Sequence, residues 1–208
     1  MAVVFCGIDP GKQGAFFLLE RGGSVLGSWK MPLAGSGAGS ICPYGIWEVL
    51  KAIRLEALKL DAQCVFGVEK VFTMPSDVES ILGAVKAARE ATDLVHINGH
   101  LDTIENLSRK KDGRVGILNY GIGYGYLLGQ IAVLGYPLLV YSPRTWQKLM
   151  WEGTDHKLKS KDRSFQAASR LFPVEHLRAA GQRKQFHDGI VDAALIAEYC
   201  RRSYKPPG

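Results

Sequence analysis

The chain has 208 residues, of which 47% are hydrophobic, so it can bury the core of one sizeable domain. Its 26 Lys and Arg against 20 Asp and Glu give a net charge of +6 and a pI near 9.1, which indicates either an anionic partner or an ordinary solvated surface. No apolar run reaches the roughly 18 residues of a membrane span and no signal sequence opens the chain, so we expect a soluble, unprocessed protein.

The first predicted element is a buried strand from Val3 to Asp9 that ends on a carboxylate. Pro10 and Gly11 then force a turn before a second apolar run. A carboxylate at the tip of a buried strand either caps the turn through a side-chain oxygen or binds a cation. This stretch by itself leaves both roles open for Asp9.

Two more strands complete a predicted three-stranded meander, Gly14 to Glu20 and Ser24 to Lys30, with a hairpin turn between them. The small residues from Pro32 to Gly45 cannot bury much surface, so we predict a mobile surface loop there. Apolar residues from Ile46 to Leu58 then recur with helical spacing.

A second buried strand, predicted from Gln63 to Glu69, also ends on a carboxylate. If the two strands are neighbours, Asp9 and Glu69 lie at one edge of a sheet. Like charges this close need a metal ion or a shared proton. The two strand ends therefore predict a site that holds a metal ion or a shared proton.

Further along the chain, Ser76 to Glu79 fits a capping box that opens an amphipathic helix. The segment that follows is a weak match for a phosphate-binding loop. We interpret its glycines as places where a helix packs closely on the sheet or where a DNA backbone approaches. They are Gly121, Gly123, Gly125 and Gly129.

After a predicted strand from Tyr136 to Ser142, the chain becomes basic and aromatic. Between Arg144 and Lys184 there are ten Lys or Arg against four Asp or Glu, with Trp146, Trp151 and Phe165 interleaved. This composition suits a surface that follows a nucleic-acid backbone. A helix with a solvated basic face is the alternative.

The closing predicted helix, within HDGIVDAALIAEY, carries Asp188 and Asp192 on one face because they are four residues apart. Stacked like charges destabilise a helix unless a positive charge lies between them. Asp188 at the N-cap and Asp192 in solvent would be the ordinary arrangement. The alanines beside Asp192 favour a position facing the sheet, and so a metal.

The cysteines lie far apart and show no paired metal-ligand spacing. Two of them fall in apolar runs that we expect in the core, which indicates reduced thiols and an intracellular compartment. They are Cys6, Cys42, Cys64 and Cys200.

Taken in order, these segments resemble the RuvC family of Holliday junction resolvases, particularly its phage-type members on the ribonuclease H-like fold. The resemblance rests on GIDPG, VEKVF, the glycine-rich stretch, SPRTWQK and HDGIVDAALIA, and covers nearly the whole chain. It implies an α/β fold whose mixed central sheet, a three-stranded meander plus parallel strands, is flanked by helices. It also implies a single nuclease domain over residues 1–208, with an insertion at about 77–114.

The resemblance implies a crossover junction endodeoxyribonuclease that resolves four-way or other branched DNA by hydrolysing phosphodiester bonds. Two Mg²⁺ ions per site, for which Mn²⁺ substitutes, would assist the attacking water and the leaving oxygen. Family members commonly space the last two ligands by three residues, so either His187 or Asp188 completes the site. The implied ligands are Asp9, Glu69, Asp188 and Asp192.

The same resemblance assigns residues to DNA. Lys148 and Lys161 match basic catalytic positions near the scissile phosphate, and Phe72 matches an aromatic wedge at the junction. The implied partners are branched DNA and a second copy of the chain in a homodimer, without a membrane, in the cytoplasm of a bacterial cell or a phage-infected host. The remaining implied DNA contacts are Arg144, Trp146, Lys157, Lys159 and Arg163.

Two other classes of function stay open. A nucleotide-dependent phosphotransferase of the related actin-like fold also begins with an acid and glycines after its first strand. This chain lacks a second phosphate-binding hairpin and is short for two lobes. A junction-binding protein without activity would have no reason to retain four carboxylates.

Overall fold

The computed structural model describes residues 2–35, 39–70, 112–181 and 186–206. The chain divides into two compact units, Met1–Val71 with Ile122–Gly208, and Phe72–Gly121. The second unit contributes only residues 112–121 to the described part. The predicted insertion at about 77–114 and the predicted wedge Phe72 therefore lie outside the described residues, apart from 112–114, and stay predictions.

A five-stranded sheet forms the centre of the first unit, and two short strands form a separate two-stranded sheet. The strands are β1 (Ala2–Asp9), β2 (Ala15–Glu20), β3 (Val25–Lys30), β4 (Leu33–Ala34), β5 (Ser40–Ile41), β6 (Ala62–Glu69) and β7 (Leu138–Tyr141).

The main sheet has the order β3-β2-β1-β6-β7. The first three strands are antiparallel neighbours, whereas β6 runs parallel to β1 and β7 runs parallel to β6. This order and these directions are those of the ribonuclease H-like fold. The predicted fold class, a mixed sheet built from a meander and parallel strands, is confirmed.

Helices cover both faces of the sheet. Side chains of β2 alternate between the faces, as expected for a strand buried on both sides. Phe16 and Leu18 pack against α1 and the second half of α2, while Phe17 and Leu19 pack against α3, α4 and α5. The helices are α1 (Pro43–Lys59), α2 (Asp112–Val133), α3 (Pro143–Met150), α4 (Ser160–Ser169) and α5 (Asp188–Ser203).

No helix of the described residues is long and apolar enough to cross a membrane. The four cysteines are free thiols, and Cys6, Cys64 and Cys200 are buried. Cys42 instead caps α1, because its sulfur accepts a hydrogen bond from the amide of Gly45 at 3.3 Å. No disulfide joins any two of these four cysteines in the structure.

The last helix, α5, lies directly on β1 because Gly7 has no side chain. A Cβ atom at Gly7 would lie 2.2 Å from the backbone nitrogen of Ala197. Gly189, at the start of the helix, is equally confined, since its Cβ atom would lie 2.0 Å from the carbonyl oxygen of Gln13 in the turn after β1. The two glycines hold the first turns of α5 against the end of β1.

The segment from Pro32 to Gly45, predicted as a mobile surface loop, contains regular structure. β4 and β5 pair with each other, Ile41 is buried, and α1 begins within the segment. Gly123 of α2 packs here, because a Cβ atom on it would lie 2.7 Å from Cδ1 of Ile41. The other three glycines of the glycine-rich stretch face open space. Close packing therefore applies to Gly123 alone, and against Ile41, not the sheet.

Candidate active site

Three carboxylates lie near one edge of the sheet. β1 and β6 are parallel neighbours whose register pairs Ile8 with Val68, so the next residues, Asp9 and Glu69, end the two strands side by side. The first turns of α5 cross the same edge and bring Asp192 there. Asp9 and Asp192 line one cleft, and the charges of both raise the pKa of Glu69.

Asp9 is half-buried at the end of β1. Its Oδ1 atom accepts a hydrogen bond from the amide of Gly11 at 3.1 Å, so the side chain does cap the turn. Burial raises the pKa of Asp9, and the Gly11 hydrogen bond opposes that rise. The cap uses only Oδ1, and the turn does not depend on the second carboxylate oxygen, Oδ2.

Glu69 is held by a tryptophan. The indole Nε1–H of Trp146, a side chain only 1% exposed, donates to Oε2 of Glu69 at 2.7 Å. The pKa of Glu69 is raised to about 7. Burial is the largest cause, the hydrogen bond from Trp146 opposes the rise, and the charges of Asp9 and Asp192 add to it. At neutral pH this carboxyl group is therefore poised between its neutral and charged forms.

Asp192 is the most confined of the three. Its pKa is raised to about 7. Burial is the largest cause, a hydrogen bond from the Ser164 side chain opposes the rise, and the charges of Asp9 and Asp188 add to it. Its Oδ1 atom is buried and has no hydrogen-bond partner in the described part of the chain. A buried carboxylate oxygen without a donor is costly unless a cation binds it.

Asp188 and His187 lie at the start of α5. Asp188 is exposed and forms a salt bridge with Lys161, which is more exposed still. His187 is the N-cap, since its Nδ1 accepts a hydrogen bond from the amide of Ile190 at 3.3 Å. Burial lowers the pKa of His187, so the ring is neutral at physiological pH. Because Nδ1 accepts this hydrogen bond, a neutral His187 carries its proton on Nε2, so neither ring nitrogen has a lone pair free for a cation, whereas the Asp188 carboxylate keeps acceptor oxygens.

An open cleft of about 510 Å³ lies over the start of α5 and the end of β1, and a smaller one of about 330 Å³ adjoins it beside α4; Glu69 lines neither of them. Asp9, Lys161, Asp188 and Asp192 line the larger cleft. Among residues 2–35, 39–70, 112–181 and 186–206, no three His, Cys, Asp or Glu side chains converge closely enough to hold a metal ion as they stand. The arrangement instead gathers oxygen donors that repel one another, which a cation would draw together.

The residues predicted to contact DNA fall into two groups. The exposed ones are Arg144, Lys148, Lys157, Lys159 and Lys161. Arg163 is half-buried, with its guanidinium 4.5 Å from the centroid of the Trp151 ring.

For Trp146 the prediction of a DNA contact is wrong. Its ring lies in the core with Met150, and its single N–H is donated to Glu69. One signal in the sequence could have found the burial of Trp146, although not the identity of its acceptor. Trp146 and Met150 are four residues apart and therefore share one apolar face of α3, and a buried indole N–H needs an acceptor.

Comparisons with known proteins are sparse. No protein family matches the sequence, and no curated protein matches it. Among solved structures, T. thermophilus RuvC in complex with a Holliday junction substrate is 13% identical with a TM-score of 0.46, covering 96% of this chain and 95% of that chain. A Thermus thermophilus RuvC structure is 15% identical with a TM-score of 0.41, covering 97% and 96%. The fold assignment rests on strand order and direction, and the candidate site on the contacts above.

Proposed function

We propose that this protein is a divalent-cation-dependent endonuclease that hydrolyses phosphodiester bonds in branched DNA, with four-way junctions as its substrate. The observation that carries the proposal is the grouping of Asp9, Glu69 and Asp192 at one edge of the sheet. Two of them have a pKa raised to about 7. Such a group of carboxylates is unfavourable by itself and favourable around cations.

The donor set suits Mg²⁺. Carboxylate oxygens are the ligands that this ion prefers, and Oδ1 of Asp192 supplies one that has no hydrogen-bond partner among the described residues. Asp9, Glu69 and Asp192 would hold the cations, with Asp188 at the outer side of the cleft. Bound divalent cations lower the pKa of an attacking water and offset charge on the leaving oxygen.

Lys161, which pairs with Asp188, would also contact the DNA. Its ammonium group pairs with Asp188 at the rim of the cleft. A phosphate entering the cleft brings negative charge next to that ammonium, so Lys161 can transfer its pairing from the carboxylate to the phosphate. The lysine would thereby position the scissile group over the carboxylates.

Specificity for branched DNA is supported by the ordered set of RuvC-like motifs in the sequence. The exposed basic residues of α3 and of the segment after it, Arg144, Lys148, Lys157 and Lys159, suit contacts to phosphates beyond the scissile one. Phe72 follows shortly after Glu69 and remains the proposed wedge.

A four-way junction presents two symmetric strands, so we propose that the protein acts as a homodimer. The described part of α2 exposes large apolar side chains at helical spacing, Ile122, Tyr126 and Val133, the last of them 85% exposed. Gly125 and Gly129 lie between them with open space at their Cα atoms. A second copy of the same helix face would cover this apolar stripe in a two-fold interface.

The test is incubation of the protein with a labelled four-way junction and with a linear duplex of the same sequence, each with and without Mg²⁺. We expect paired, symmetric nicks in the junction only, and only with Mg²⁺, resolved on a denaturing gel. Asp9→Asn protein is the control against a contaminating nuclease. Equal cutting of the linear duplex would reject specificity for junctions, and no cutting of either DNA would reject the nuclease.

A further inference from the structure

A pair of tryptophans lies behind the carboxylates. Trp146 in α3 and Trp151, directly after α3, pack edge to face with ring centroids 6.2 Å apart at an interplanar angle of 78°. An indole N–H can only donate a hydrogen bond, so each ring needs an acceptor when it leaves water. The two rings donate to different acceptors.

The acceptor of Trp146 is Glu69 itself. The hydrogen bond from Nε1 to Oε2 is 2.7 Å long and joins residues that are far apart in sequence. Because the Trp146 ring is fixed in the core by its neighbours, the bond fixes the rotamer of the Glu69 side chain. It also leaves the other carboxylate oxygen, Oε1, to other ligands.

The acceptor of Trp151 is Ser164, whose Oγ lies 3.2 Å from the indole Nε1. Since the indole supplies the proton in this contact, the hydroxyl proton of Ser164 is free to be donated elsewhere. Ser164 is buried and lines the smaller cleft together with Asp192, and hydrogen bonding from its side chain lowers the pKa of Asp192. The chain of donors therefore runs from Trp151 through Ser164 to the Asp192 carboxylate.

Trp151 is itself held in place. The guanidinium of Arg163 lies over its ring, and the same guanidinium donates from Nε to Oγ1 of Thr154 at 3.1 Å. Thr154 in turn donates to the carbonyl oxygen of Trp151 at 2.7 Å. These contacts fix the ring and hence the direction of its N–H.

We propose that Trp146 and Trp151 are positioning residues that orient two half-buried carboxylates for cation binding, Trp146 acting directly on Glu69 and Trp151 acting on Asp192 through Ser164. The inference rests on the proposed function. Groups that hydrogen-bond to ligating carboxylates fix their orientation, and their loss typically costs about 10- to 100-fold in metal affinity. The indoles touch neither cation nor DNA in this scheme.

The test is calorimetric titration of Mn²⁺ into metal-free protein, without DNA, for wild type and for Trp146→Phe, Trp151→Phe and Ser164→Ala. We expect the Kd for Mn²⁺ to rise about tenfold or more in Trp146→Phe and Ser164→Ala. Trp29→Phe is the matched control, because Trp29 packs on the opposite face of the sheet, and its Kd should equal that of wild type.

Double variants separate orientation from general loosening. Trp151→Phe combined with Ser164→Ala should bind Mn²⁺ no more weakly than Ser164→Ala alone, because both changes break one chain of donors. Trp146→Phe combined with Ser164→Ala should show the product of the two single effects. Thermal melting checks that each variant folds, and Ser164→Ala decides the matter if a tryptophan variant does not.

Wild type that binds Mn²⁺ while Trp146→Phe and Ser164→Ala bind it equally well would overturn this inference and leave the proposed function standing. An increase in Kd for Trp29→Phe as large as for Trp146→Phe would overturn it too, because the effect would then be one of stability. Wild type that binds no Mn²⁺ would overturn the proposed function itself.

Discussion

Gly7 of β1 lies against the backbone of Ala193 in α5 so closely that a Cβ atom on Gly7 would lie 2.1 Å from the Ala193 carbonyl oxygen. The distance between the strand and the helix is therefore set by the absence of a side chain. Asp9 lies two residues after Gly7, and Asp192 lies one residue before Ala193. This backbone contact decides whether the two carboxylates share a site.

Gly7→Ala is expected to push α5 away from β1 and to separate Asp9 from Asp192. Overpacking of this kind costs about 1–3 kcal/mol or more in the free energy of unfolding. The cleavage rate should fall as well, because the cation site is no longer assembled. Urea unfolding measures the first effect and single-turnover cleavage the second. Gly22→Ala is the control, since Gly22 has open space around it and should change neither quantity.

Removal of one negative charge at a time tests the carboxylates. We expect Asp9→Asn, Glu69→Gln and Asp192→Asn each to abolish cleavage while junction binding stays close to wild type. Under the proposed function the charge lost is one that would hold the cations, whereas affinity would come mainly from basic contacts with phosphates. Gel-shift and cleavage assays on one junction measure both. Asp61→Asn, at an exposed carboxylate before β6, should cut normally. More than a few per cent of the wild-type rate in any of the three would count against the site.

Stability of the metal-free protein should depend on pH through Glu69 and Asp192. Their pKa is about 7 in the folded protein, against about 4 in an unfolded chain. Between these values the folded state holds protons that the unfolded state has released, so stability falls as pH rises from about 4 to about 7. Cations that bind the ionised carboxylates remove this penalty.

The increase in melting temperature on adding Mg²⁺ should therefore be larger at about pH 8 than at about pH 5.5. Differential scanning fluorimetry at the two pH values measures it. A Glu69→Gln, Asp192→Asn double variant should lose both the Mg²⁺ response and its pH dependence. An equal Mg²⁺ response at both pH values would mean that the two carboxylates are not the ligands.

The two lysines assigned to catalysis should behave differently. Lys161 lines the cleft and pairs with Asp188, so Lys161→Ala should slow single-turnover cleavage more than it weakens junction binding. Lys148 is exposed on α3 and does not line either of the two clefts described above, so Lys148→Ala should lower affinity and the steepness of its salt dependence. Lys59→Ala, at the end of α1, controls for loss of charge alone. A normal single-turnover rate in Lys161→Ala would reduce Lys161 to a groove contact.

A charge on the exposed face of α2 tests the homodimer. Tyr126→Asp is expected to shift the protein from dimer to monomer in sedimentation analysis, because an ionised carboxylate cannot be buried in an apolar interface without a partner. Leu55→Asp, at an exposed apolar position of α1, should remain dimeric. Wild type that sediments as a monomer would reject the dimer.

The sheet could be predicted from the sequence because burial and strand periodicity are local properties. The first strand was expected from Val3 to Asp9 and is observed from Ala2 to Asp9. The strand before α3 was expected from Tyr136 to Ser142 and is shorter, Leu138–Tyr141. Asp9 and Glu69 could be recognised as candidate site residues because each ends an apolar run.

The contacts behind the site could not be predicted, because they join residues that are distant in sequence. Nothing near Trp146 indicates that its N–H points at Glu69, and an aromatic residue in a basic segment is equally typical of a DNA-binding surface. Likewise, Gly7 is an ordinary strand glycine until α5 is packed on it. The pairing of β4 with β5 was missed because strands of two residues leave no periodic pattern.

The dependence of the site on both β1 and α5 has a consequence during protein synthesis. A ribosome-bound chain that has emerged as far as β7 already has Asp9 and Glu69, but it has neither Asp188 nor Asp192. Under the proposed function such a nascent chain cannot cut DNA. Until α5 emerges, Phe17 and Leu19 of β2 also lack the part of their cover that α5 supplies. The unfinished chain therefore exposes apolar surface, which favours aggregation, before the candidate site is complete.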